Sequence, residues 1–392
     1  MVPKGWEVRN LKDVVSFLDG KRKPIKSEDR SEMKGIYPYY GATGIIDWVN
    51  DYIFDDELIL MGEDGENILS RNLPHVFCIT GKSWVNNHAH VMKVNSGIDS
   101  YYLATYLESL DYRKYNSGSA QPKLNKTICE KIPVIFPPLP EQQKIANILS
   151  TWDKAISTTE RLIDNSSQQK KALMQQLLTG KKRLLDDEGK RFVGEWNKKT
   201  LAGICSKTIS YGIVQTGEHV KDGVPCVRVV DLTQKTVSKN DMITTSDEIN
   251  QSYNKTILES GEVMMALRGV VGLVRLVNED LVGSNITRGL ARLAPKNELI
   301  KSDFFLWILR SSYVKNELMR KVGGSALQEI SLTALRKVQI PFPSLQEQQK
   351  IANVLTNADK EIELLEQQLA NFQQEKKALM QVLLTGKKRV VV

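Results

Sequence analysis

KIPVIFPPLPEQQKIANILSTWDKAI (131–156) and KVQIPFPSLQEQQKIANVLTNADKEI (337–362) are two versions of one segment, and both run on to nearly the same close, KKALMQQLLTGKKR (170–183) and KKALMQVLLTGKKR (376–389). Across 53 ungapped positions 31 are identical, at a constant offset of 206. An internal repeat of this length dictates the architecture before any motif is weighed. A seam in the second copy falls at alternating steps of four and three, apolar but for Lys376, from Ile351 through Leu355, Ala358, Ile362, Leu365, Leu369, Phe372, Lys376 and Leu379 to Leu383. The first copy keeps the same register from Ile145 to Leu177, with Trp152, Thr159, Ser166 and Lys170 on the seam. That spacing predicts two long helices of coiled-coil type, near 140–180 and 345–386. Pro140-Glu141 and the Ser344-to-Glu347 spacing mark their starts, and Gly180 and Gly386 mark their ends. Each rod of about 39 residues, at about 1.5 Å per residue, is roughly 58 Å long.

A seam of this kind needs a covering helix, and the simplest partner for each copy is the other. A plain dimerisation coiled coil would account for the seam alone. Identity also extends off the seam, where Gln142, Gln143 and Asn147 recur as Gln348, Gln349 and Asn353. These six are candidates for docking two copies of one partner on equivalent faces. An antiparallel arrangement would relate the two halves by a pseudo-twofold axis. Working outward, the chain divides into a first domain (1–137), a central helix (138–183), a second domain (184–343) and a C-terminal helix (344–392).

The two domains share little sequence, yet both read as mixed α/β. Strand-like runs at 51–61, 76–80 and 89–94 precede a helical stretch at 100–115. The second domain has strand-like runs at 224–232, 261–267, 270–277 and 289–293 before a helix at 302–322. The fold class is α/β: two mixed α/β domains separated by two long helices that pair as an antiparallel coiled coil. Polar clusters supply candidate reading surfaces. In the first domain these hold Lys21, Arg22, Lys23, Tyr40, Gly41, Thr43, Lys82, Asn86, Asn87, His88, Ser119, Gln121 and Lys123. In the second they hold Gln215, Thr216, Arg228, Arg268, Ser284, Asn285, Thr287, Arg288, Ser325 and Gln328. Arginine grips guanine edges with two hydrogen bonds and amides do the same for adenine, while hydroxyls and glycine backbone approach phosphate closely. Each cluster taken alone is equally readable as a solvated loop.

Motifs for chemistry are missing. There is no phosphate-binding G-x-x-x-x-G-K-[ST] loop and no G-x-S-x-G elbow. Phe136-Pro137-Pro138-Leu139 lacks the polar first residue of the amino-methyltransferase signature. His88-x-His90 has no neighbouring cysteine or carboxylate in sequence to complete a metal site, and the four cysteines have neither disulfide nor zinc spacing. No apolar run is long enough to span a bilayer and no signal-peptide core opens the chain, so a cytoplasmic location is expected.

Two unlike domains, each followed by a near-identical helix bearing P-x-L-x-EQQKIAN or its variant, preceded by GSAQPKLN or GSALQEIS and closed by LLTGKKR, resemble the specificity subunit of type I restriction-modification systems over essentially the whole chain. The resemblance implies that each domain reads one half of a split, asymmetric DNA target. It implies that the helix pair sets the spacer and docks two methyltransferase subunits, which methylate adenine with S-adenosylmethionine. Restriction subunits would join them, and S-adenosylmethionine and ATP with magnesium would belong to these partner subunits; no catalysis is expected in this chain. Half-sites one turn apart lie about 34 Å centre to centre, which implies a spacer of roughly half a turn or slightly more. In the second copy Leu327-Gln328 stands where the first has Gln121-Pro122, so those contacts need not superpose.

Charge refines this expectation. The formal net charge of +8 distributes as −2 over 1–130, +5 over 131–183, +3 over 184–336 and +2 over 337–392. Most of the excess sits in the helices, much of it at Lys181-Lys182-Arg183 and Lys387-Lys388-Arg389, where it complements the negative helix end. Weak DNA binding by the isolated chain follows, with local clusters and the partners supplying the grip.

Overall fold

The computed structural model describes residues 2–234, 237–323 and 328–391. The chain divides into two compact units, Met1–Arg161 with Glu366–Val392, and Leu162–Leu365, so both long helices contribute to both. These helices span Leu139–Leu177 and Leu345–Leu383, 39 residues each. Every one of the ten seam positions in either copy is buried or half-buried. Within the first unit Trp152 meets Phe372 edge to face, with ring centroids 5.7 Å apart, and Lys376 pairs with Asp153. Within the second unit Lys170 pairs with Asp359, the same contact with the copies exchanged. Early residues of one helix lie beside late residues of the other in both units, which is antiparallel pairing.

Each helix stops as its sequence demands. Gly180 and Gly386 both have φ of +68°, the left-handed turn that glycine adopts without a Cβ penalty. Lys182 N–H reaches back to Gln176 C=O, and Lys388 N–H to Val382 C=O, satisfying carbonyls of the last turn. At the start of the second helix Glu347 N–H donates to Ser344 Oγ at 3.4 Å. The Glu347 side chain does not complete the reciprocal cap; Arg183 takes it instead.

The units share one topology. In the first, the strands Val15–Phe17, Ala89–Val94, Leu58–Gly62 and Val76–Ile79 lie side by side in that order; in the second, Ser210–Tyr211, Leu290–Leu293, Val263–Ala266 and Val274–Leu276 repeat it. A second sheet in each contains one parallel pair, Tyr39 with Trp84 and Cys226 with Asn285. A two-stranded ribbon joins the first strand of each unit to the last before its long helix, Glu7–Asn10 with Pro133–Phe136 and Asn197–Thr200 with Gln339–Phe342. Apolar cores gather Leu11, Ile59, Tyr102, Ile145 and Leu149 with Leu383 in one unit, and Leu201, Val263, Phe304, Phe305 and Leu355 with Leu177 in the other.

Four expectations need correction. The run 51–61 holds two strands of different sheets, Phe54–Asp55 and Leu58–Gly62, and the stretch 100–115 is a helix Ser100–Glu108 followed by a separate turn at Tyr112–Tyr115. The run 224–232 is a strand, Val224–Val227, followed by the short helix Val229–Thr233, because the Asp231 carboxylate accepts from Arg228 N–H and starts a helix. The helix at 302–322 is two helices, Ser302–Arg310 and Ser312–Met319, because Ser311 turns extended and caps the second through Val314 N–H. Among the described residues no helix is long and apolar enough to cross a membrane.

Candidate nucleic-acid interface

In the first unit three of the predicted residues, Arg22, His88 and Lys123, converge on the turn that follows the central strand, Glu63-Asp64-Gly65, whereas Asn86 and Gly41 are buried. Arg22 donates to Glu63 Oε2 at 2.7 Å and to Ala89 C=O at 2.8 Å. Lys123 Nζ stands 3.4 Å from Glu63 Oε1, and His88 Nδ1 lies 2.9 Å from Asp64. Pro122 C=O accepts from Gly65 N–H, and Asn86 N–H donates to Tyr40 C=O beside Gly41 and Thr43. Lys21, Lys23, Asn87, Ser119 and Gln121 are exposed on these same segments. Lys82 is set apart, its ammonium 4.6 Å above the Tyr52 ring. His88 and His90 do not share a ligand set: His90 turns inward to Asp19. Among the described residues no group of histidine, cysteine and carboxylate side chains could hold a metal ion.

The second unit gathers its candidates around the equivalent turn. Leu267 C=O accepts from Ile330 N–H as Glu63 C=O does from Leu124 N–H, and Gly269 N–H donates to Gln328 C=O. Arg268 Nη2 pairs with Glu329 at 3.1 Å. Thr287 N–H donates to Val227 C=O, next to Arg228, and Arg288 N–H to Ile213 C=O, next in the chain to the segment carrying the exposed Gln215 and half-buried Thr216. Arg228 itself is engaged with Asp231 at 2.8 Å. Ser325 lies outside the described residues.

Ser284 and Asn285 are fully buried and do not face solvent. Asn285 donates to Asn250 Oδ1 at 2.8 Å and accepts from Thr256 Oγ1 at 2.7 Å, an internal amide network whose partners lie about thirty residues away in sequence. Gln142 and Gln348, expected to meet a partner, are buried too. Gln142 accepts from Asp99 N–H and donates to Pro137 C=O; Gln348 accepts from Lys301 N–H and donates to Leu299 and Pro343 C=O. Their recurrence has an internal cause, the tie between a helix start and the domain above it. Gln143, Asn147, Gln349 and Asn353 remain exposed, so recurrence at these four has no such cause.

Sequence reading left the acidic residues out of the candidate surface. Asp64 faces Lys123 across a backbone bridge, and Arg268 faces Glu329 across the corresponding one. The same position therefore carries opposite charge in the two units.

The type I restriction modification DNA specificity domain family matches residues 3–165 and 194–374, which is most of the chain, and the protein belongs to it. Among its relatives, the MjaVIII type I restriction enzyme specificity subunit of Methanocaldococcus jannaschii is 26% identical, over 99% of this chain and 94% of that one. A putative type I specificity subunit of Haemophilus influenzae is 25% identical over 89% and 86%. The crystal structure of a type I restriction-modification S subunit from M. genitalium superposes with a TM-score of 0.65 at 16% identity, covering 98% of this chain and 99% of that one. A chain from a study of complex assembly and conformational transition in the type I system superposes at 0.54 with 17% identity, covering 99% and 100%. At such identities the structural likeness speaks for the fold.

Proposed function

We propose that this protein is the non-catalytic, sequence-reading subunit of a methyltransferase and endonuclease assembly. Each α/β domain reads one half of a bipartite, asymmetric duplex target. The helix pair sets the spacer and docks two methyltransferase subunits on the exposed faces around Gln143 and Asn147 and around Gln349 and Asn353. Adenine methylation and cleavage belong to partners carrying S-adenosylmethionine and ATP with magnesium, including a restriction subunit.

The observation that carries this reading is the shared strand order combined with inverted charge at the equivalent turn, Asp64 against Lys123 and Arg268 against Glu329. One scaffold with opposite polarity suits two different base edges, since carboxylates accept from cytosine amino groups and arginine donates to guanine. Surrounding Lys21, Lys23, Arg228 and Arg288 suit phosphate contacts that fix register.

Mapping methylated positions in DNA exposed to the reconstituted complex tests it. Exchanging residues 1–137 for those of a relative should change one half-site only, and loss of both would refute modular reading. Adding one helical turn to the first long helix, with a matching turn in the second, should change the spacer and leave both half-sites intact. A duplex shift without sequence preference would favour a scaffold that does not read DNA.

A further inference from the structure

The first unit buries a histidine–carboxylate pair on its central sheet, at a strand position where the second unit carries Ala291 and keeps its own buried ion pair, Arg292 with Glu262, one residue further on. His90 is 1% exposed; its Nδ1 lies 2.7 Å from Asp19 Oδ2 and its Nε2 lies 2.8 Å from Leu124 C=O. Both neighbours are acceptors only when Asp19 is ionised, so both ring nitrogens carry protons and the imidazole is a cation. Asp19 Oδ1 in turn accepts from Val91 N–H at 2.9 Å. Arg22 Nε donates to Asp19 C=O at 3.0 Å, while Glu63 Oε2 lies 3.8 Å from His90 and 2.7 Å from Arg22. Where His90 pairs with Met61 across the sheet, the second unit pairs Met265 with Ala291.

Each of these contacts ends on a segment that carries candidate reading residues. Leu124 C=O anchors the end of the Ser119 to Lys123 loop, Arg22 anchors Lys21 to Lys23 and the backbone of Asn87 and Ala89, and Glu63 heads the acidic turn. We propose that His90 and Asp19 are positioning residues that hold three loops of the first recognition domain in one register and thereby set the specificity of that domain alone. The inference rests on the reading of this domain as a DNA reader. The role is one of placement, since His90 is 1% exposed and the Asp19 side chain 11%.

The charged state has a wide pH range. Burial by itself would lower the His90 pKa, but the Asp19 hydrogen bond, then the Cys129 sulfur and the Leu124 carbonyl, more than offset this and raise it to about 10. The groups facing it are Asp19, Glu63, Arg22, the Cys129 thiol and, more distantly, His75, whose own pKa burial depresses to about 3. A raised pKa contributes order that is complete below the ordinary histidine range near 6.5 and is lost as pH climbs towards 10.

The test uses the full complex with its methyltransferase partner, scoring methylation of duplexes carrying a single mismatch in either half-site. His90→Gln and Asp19→Asn should each lower discrimination at the first half-site by about tenfold or more, the scale of a lost charge-assisted hydrogen bond. Discrimination at the second half-site should not move. First half-site discrimination by the unaltered complex should hold between pH 6.5 and 9 and fall above that, with the fall absent in His90→Gln. Histidine NMR of the unaltered protein provides a readout that needs no variant: one ring should stay doubly protonated at pH 8. Equal loss at both half-sites, unchanged discrimination in both variants, or a neutral His90 at pH 8 would overturn the proposal. An unaltered complex with no sequence preference would instead overturn the DNA-reading function itself.

Discussion

Substituting Arg183 by Met should expose how the helix ends are locked. Arg183 closes a two-bonded ion pair with Glu347, both contacts at 2.6 Å, and its other nitrogen donates to Gly194 C=O at 2.7 Å. The Glu347 side chain is 0% exposed and Arg183 18%. Removing the arginine strands a carboxylate in a site water does not reach. Breaking such a pair costs about 3–5 kcal/mol, and with Arg183 partly at the surface we expect about 3. The second unit, residues 162–365, is large enough that about 1 kcal/mol corresponds to roughly 2–4 °C, so its calorimetric transition should fall by about 6–12 °C. The equivalent lock in the first unit, Arg389 with Glu141, is more open: Arg389 is 44% exposed, and Trp6 Nε1 also donates to Glu141 at 3.1 Å. Arg389→Met should therefore shift its unit less. Arg183→Met combined with Glu347→Leu should recover most of the loss, because it removes the stranded charge. Equal shifts for Arg183→Met and Arg389→Met, or a double variant no better than the single, would refute the argument.

Three further outcomes follow from packing. A Cβ on Gly386 would sit 2.3 Å from Pro3 Cγ, whereas one on Gly180 meets only the Trp196 ring at 3.3 Å; Gly386→Ala should thus cost more in thermal unfolding than Gly180→Ala, each losing at least about 1 kcal/mol from the left-handed backbone. Gln348→Leu should destabilise by about 2 kcal/mol by orphaning Lys301 N–H and two carbonyls, while Gln349→Leu should leave stability within about 0.5 kcal/mol and weaken methyltransferase association in a pull-down titration. Asn285→Ala should cost about 1–3 kcal/mol in denaturant unfolding, since Asn250 and Thr256 lose their partner, and leave the identity of the methylated half-sites unchanged.

A helix pair is a one-dimensional object: its contacts recur every three or four residues, so ten seam positions per copy reveal it, and each proves buried or half-buried. Glycine after a helix is similarly local, and Gly180 and Gly386 cap as their positions demand. Strand runs in the domains were legible where apolar stretches were short and bounded, as at Ala89–Val94 and Val76–Ile79. The strand reading misled at 224–232, where Asp231 redirects the backbone, and the helix reading at 302–322, where Ser311 does.

Polarity in the chain marked where hydrogen bonds would be made without indicating with whom. Gln142 and Gln349 look alike in the repeat, but one is sealed under Asp99 and the other faces solvent. Asn285 resembles a base-reading amide until folding brings Asn250 and Thr256 to it. His90, two residues from a surface histidine, becomes a buried cation only because Asp19, seventy-one positions earlier, and Leu124, thirty-four later, close on it. Duplicated helices and two unlike α/β domains follow from period and pattern, and the family likeness rests on motif strings, all of which the linear order carries. The division of polar residues into buried ties and free reading surface depends on partners distant along the chain, and only the packing of strands and helices brings those partners within 3 Å.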